Sequence, residues 1–113
     1  MRLFLIALLA LPLPAHAADR ITSREGFLSI VEGRRLVGDG VSLTVQPNGQ
    51  ITGRGFGLRV SGSWTWENEM FCRTLETTLR DFPRDCQTVE RRGGFLRFQA
   101  NQGAGDIADL RVE

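Results

Sequence analysis

Hydrophobic positions change their period once along this chain. Phe27, Ile30 and Val31 recur at i, i+3 and i+4, one apolar stripe of a helix. Thr22-Ser23-Arg24-Glu25 ahead of them reads as a helix start, with Thr22 as the cap and Glu25 completing a capping box. Gly33 is the expected stop. The predicted helix is about ten residues long, and Gly26 makes it dependent on packing against the rest.

Beyond Gly33 the period becomes two. Val41, Leu43 and Val45 alternate with polar residues, and Pro47-Asn48-Gly49 turns the chain into a second strand over 50–53. Gly53-Arg54-Gly55-Phe56-Gly57 reads as a bend or bulge. The clearest strand covers 58–67: Leu58, Val60, Gly62, Trp64 and Trp66 share one face, and Arg59, Ser61, Ser63 and Thr65 share the other. Asn68-Glu69 turns it into a strand over 70–75 that carries Cys72. A polar loop with Pro83 is expected over 76–85, then strands over 86–91 and 95–100 around Arg92-Gly93-Gly94. A loop at 101–105 and a last strand over 107–112 end the chain. Short strands at this spacing predict a mainly β fold: a small antiparallel barrel or half-open sandwich of six or seven strands behind one short N-terminal helix.

Residues 1–17 read as an export signal, with Arg2 at the start, an apolar run over 3–11 and Ala15-His16-Ala17 as the cleavage site. No later run is long and apolar enough to span a bilayer. The expectation is one domain over 18–113, exported to a periplasm or secreted, and monomeric. Cys72 and Cys86 are the only cysteines, and in an oxidising compartment they are expected to form one structural disulfide.

Composition narrows the chemistry. All fourteen basic residues are arginine, and the one histidine, His16, lies in the export signal. The domain over 18–113 therefore has no histidine and no lysine, which excludes His-based triads, Schiff-base lysines and a Walker phosphate loop. Without Arg2, thirteen arginines face thirteen acids, a balance that argues against nucleic acid or an anionic membrane as partner. Glu67, Glu69 and Glu76 could supply a carboxylate pair, and read more simply as surface charge. The aspartates at 81, 85, 106 and 109 match no calcium loop, and no metal or cofactor is expected. Gly103-Ala104-Gly105-Asp106-Ile107-Ala108 matches a dinucleotide-loop pattern, but only five residues follow it, too few for a βαβ unit. The binding candidates are Trp64, Trp66 and Phe71, as a pocket wall or as core, and Arg59 with the other turn arginines as anion contacts.

Leu43-Thr44-Val45-Gln46-Pro47-Asn48-Gly49, Val60-Ser61-Gly62-Ser63-Trp64-Thr65-Trp66, Phe71-Cys72-Arg73, Cys86-Gln87-Thr88-Val89 and Gly103-Ala104-Gly105-Asp106 together resemble a family of small secreted proteins of unknown function from Gram-negative bacteria. Its members often carry the label dihydrodipicolinate reductase. That label implies an NAD(P)H enzyme with catalytic histidine and lysine, which have no counterpart in this domain. A looser resemblance, the GxW strand ahead of a disulfide, is to secreted protease inhibitors built as eight-stranded barrels. The expected role is an exported binding or accessory protein for a protein or small-molecule partner, with an enzyme or a structural envelope component as alternatives.

Overall fold

The computed structural model describes residues 19–113; the expected export signal lies outside the described residues. The order is β1 (Asp19–Arg20), α1 (Arg24–Val31), β2 (Leu36–Gly38), β3 (Val41–Val45), β4 (Gln50–Gly55), β5 (Leu58–Glu67), β6 (Met70–Glu76), β7 (Asp81–Arg92), β8 (Phe95–Gln99), the four-residue α2 (Ala100–Gly103) and β9 (Ile107–Val112). Strands β2 to β9 each pair antiparallel with the next, and β9 returns to pair with β2. The sheet is a closed eight-stranded barrel. The short β1 lies outside it, against Glu90 and Arg91 of β7. The predicted mainly β class holds, and the strand count rises from six or seven to nine among the described residues.

The helix starts one residue later than expected. Ser23, not Thr22, is the cap, and its hydroxyl accepts from the Gly26 amide at 3.0 Å. Thr22 is fixed by another demand: its carbonyl accepts the indole N–H of Trp66. Glu25 is then one position short of a capping box. The apolar stripe is as read, with Phe27 and Val31 fully buried and Ile30 half-buried.

Two loops of the sequence reading are strand. β4 runs through Gly53 to Gly55, and the reversal is confined to Phe56-Gly57, both left-handed at φ 52° and 81°. The expected loop over 76–85 shrinks to four residues, 77–80, where the Thr77 hydroxyl accepts from the amides of Leu79 and Arg80. Pro83 lies inside β7 because Pro83 and Arg84 together oppose Thr74, a bulge that needs no ladder hydrogen bond from proline.

Inward positions alternate between bulk and none. Gly53 and Gly62 face into the barrel, and Leu43 and Leu75 lie directly opposite them. A Cβ on Gly62 would meet the Thr74 carbonyl oxygen at 2.1 Å and a Leu75 methyl at 2.9 Å. Close strand approach therefore requires glycine there. Cys72 and Cys86 face each other across β6 and β7 and form the disulfide. No helix among the described residues is long and apolar enough to cross a membrane.

Two outcomes follow for urea unfolding. Gly62→Ala lowers stability by about 1–3 kcal/mol through overpacking; an unchanged midpoint would contradict this strand spacing. Replacing both cysteines by alanine costs about 3 kcal/mol for a loop of this length, read as a lower midpoint that added reductant no longer shifts.

Candidate functional site

The two ends of the barrel differ. Hairpins of an up-and-down barrel alternate between ends, so the turns at 46–49, 68–69 and 93–94 share one end. Helix α1 and its approach cover that end: Arg24 Nη2 donates to the Pro47 carbonyl, and Arg20 Nη2 donates to the Glu69 carbonyl at 3.0 Å. Phe27 enters the barrel there. Its ring contacts Trp64, Trp66, Phe71 and Phe98 with centroids 5.1 to 6.4 Å apart. Both indoles have partners, Trp64 Nε1 on the Gln46 carbonyl at 2.8 Å and Trp66 Nε1 on the Thr22 carbonyl at 3.1 Å. The Arg24 guanidinium lies over Trp64, 5.1 Å from its ring centre.

The sequence-predicted site residues divide accordingly. Trp64, Trp66 and Phe71 come together as expected, but around Phe27, and Trp64 and Phe71 are only 4% and 5% exposed. They form a core plug. Arg59 faces outward, opposite Arg54 of β4, and does not join them.

The other end carries the turns at 39–40, 56–57 and 77–80 and, within the connection at 100–106, the four-residue α2. Below it a cavity of about 170 Å³ lies inside the barrel. Leu43, Leu75 and Leu110 form much of its wall and Phe71 and Phe98 part of its lining, so the aromatic plug separates it from the helix. Neither tryptophan lines it. Gly38, Gly53 and Gly62 on the inward phase let neighbouring strands approach closely, since a Cβ at each would meet backbone oxygen at 2.1 to 2.6 Å. An eight-stranded barrel is just wide enough for its own side chains.

Two polar side chains, Arg73 and Gln87, enter this apolar lining. Arg73 lies between Phe71 and Leu75 on the inward phase of β6 and faces Asp85 across the ladder. Its Nη1 donates to the Pro83 carbonyl at 3.1 Å, the bond that the β7 bulge makes available. Burial lowers the Arg73 pKa from its ordinary value, and the charge of Asp85 works against that shift. Asp85 itself is engaged elsewhere: Oδ2 accepts from Gln87 Nε2 at 2.9 Å and Oδ1 from the Asn101 amide at 3.0 Å. Asn101 and Gln102 are both left-handed, at φ 52° and 58°, where a loop was expected.

The rim is apolar. Phe56 is 81% exposed, Leu79 80% and Ile107 50%, and all three belong to this open end. Phe56 is exposed in a strained left-handed conformation.

The carboxylates lie outside the cavity. Glu67 accepts from the Thr65 hydroxyl and from Arg84, and these bonds, Thr65 first, hold it below the usual carboxylate range. A glycosidic acid needs the opposite shift. Glu76 accepts from Ser61 on the outer face. Asp109 is held low mainly by the bidentate Arg97, at 2.9 and 3.1 Å. Among the described residues no three His, Cys, Asp or Glu side chains converge as a metal site would require. The glycine motif at 103–108 leads into β9, not into a helix N-terminus.

No family model, no curated protein and no solved structure matches this chain.

The plug is the most sensitive part of the core. Phe27→Ala is expected to cost about 3–5 kcal/mol and to shift tryptophan emission to the red as water reaches Trp66. A variant with wild-type emission and stability would show that the helix does not seal the barrel.

Proposed function

We propose that this chain is an exported, non-enzymatic binding protein that holds a small apolar molecule in the open end of its barrel. The observation that carries this reading is the cavity of about 170 Å³, walled almost wholly by leucine, valine and phenylalanine. An apolar cavity of about 150 Å³ in a protein core stays dry and takes up benzene, so this one suits a ligand of benzene size or a short alkyl chain. The disulfide is compatible with an oxidising compartment outside the cytoplasm. The absence of histidine and lysine from 18–113 favours binding over the reductase chemistry of the family label.

A second reading has its own observation. Phe56, Leu79 and Ile107 are all exposed at the open end, and exposed apolar side chains mark protein contacts where they form one patch. That arrangement suits an inhibitor-like partner surface, in line with the looser resemblance to barrel-shaped protease inhibitors.

Toluene is expected to raise the melting temperature and to move the methyl resonances of Leu43, Leu75 and Leu110. Ala108→Phe, which fills the mouth from β9, abolishes both effects. Unmoved methyls at saturating toluene would sink the cavity reading. The double variant Phe56→Ser, Leu79→Ser leaves the toluene response intact, and it weakens partner binding only if the rim is the working surface.

A further inference from the structure

Two polar side chains, Arg73 and Gln87, interrupt the apolar lining, and Arg73 makes no ion pair within 4 Å. Arg73 is an arginine at an inward position of a barrel strand, partly withdrawn from water. Such a group is stable only when paired or well hydrogen-bonded. Among the described residues it makes one hydrogen bond, from Nη1 to the neutral carbonyl of Pro83. It belongs to none of the ion pairs within 4 Å, although Asp85 faces it across the ladder. Both Asp85 oxygens are taken by neutral donors, Gln87 Nε2 and the Asn101 amide. The remaining Arg73 nitrogens, Nε and Nη2, are not sealed in protein, because no fully buried side-chain nitrogen lacks a partner. Arg73 is one of the residues that line the cavity.

We infer that the cavity ligand is a small monocarboxylate, its carboxylate held by the free edge of Arg73 and its short apolar part among Leu43, Leu75 and Leu110. The inference rests on the small-molecule reading above and gives it a ligand class. The planar guanidinium edge matches a carboxylate with two parallel N–H···O bonds. A carboxylate supplies the partner that Asp85 withholds. Asp85 in turn selects against a dianion, since a second negative charge would meet its carboxylate at close range. Volume sets the length. A molecule of about eight heavy atoms, such as hexanoate or benzoate, is the largest that a space of this size accepts without displacing the walls.

Isothermal titration of the full purified protein with hexanoate and with 1-hexanol separates this inference from the reading beneath it. Hexanoate is expected to bind more tightly than hexanol. Arg73→Gln weakens hexanoate about 10- to 100-fold, the loss of a charged hydrogen-bonded contact, and leaves hexanol nearly unchanged. Arg73→Lys keeps the charge without the fork and falls between them, which supports the assignment even if the glutamine variant does not fold. Equal binding of the two probes, with hexanoate indifferent to Arg73→Gln, overturns the carboxylate assignment while the cavity reading stands. Failure of both probes to bind overturns the cavity reading and the assignment together.

Discussion

Closure of the barrel rests on two residue pairs, Leu36 with Val112 and Val37 with Arg111. The contact between β2 and β9 joins the first barrel strand to the last, and the amides of Arg35 and Glu113 extend it by one more exchange at 2.9 Å. Without this join the sheet would have two open edges, and strands β2 and β9 would present unpaired backbone. With it, every barrel strand is paired on both sides, inward residues meet across a closed interior, and one end can be stoppered by a helix. Core, plug and cavity all presuppose it.

Within the closed barrel, unequal filling creates the functional asymmetry. The helix end receives Phe27, both tryptophans, Phe71 and Phe98, which pack edge-on and stacked into a dense cluster. The other half receives Leu43 and Leu75 opposite Gly53 and Gly62, and the cavity lies among its aliphatic side chains. Strain collects where the space opens: Asp39, Phe56, Asn101 and Gln102 are left-handed residues of the open end. Left-handed turns at Asn68 and Glu69 at the helix end are instead tied by the Arg20 contact. One end is stoppered by a helix and the other leads to the cavity, as a binding barrel requires.

Much of this was readable residue by residue. The period-two runs place β3, β5, β6, β8 and β9 to within about two residues, because each buries one face and alternation records it. β2 was not readable: Leu36-Val37-Gly38 is too short for any period to show, and only its two partners define it. The second half of β7 was read as a strand over 86–91, and its first half was hidden by Pro83, which ordinarily ends a strand but is tolerated here in a bulge. The candidate site divides in the same way. The tryptophans were conspicuous by composition and turned out to be core. Arg73 drew no notice beside the arginine-rich turns, yet the sequence carried its signal: Phe71-Arg73-Leu75 puts a charge on the apolar phase of an alternating strand. Its meaning depends on Asp85, which lies twelve residues away in sequence and directly opposite in space.

The sequence by itself determined the β class, the tight turns, the single cysteine pairing and the exclusion of histidine and lysine chemistry, since each depends on local period, turn residues or composition alone. The tertiary structure decided closure, which end is plugged, where the interior stays empty and which arginine faces that interior. Those properties belong to contacts between residues far apart along the chain, and no pattern within one strand can specify the strand that will face it.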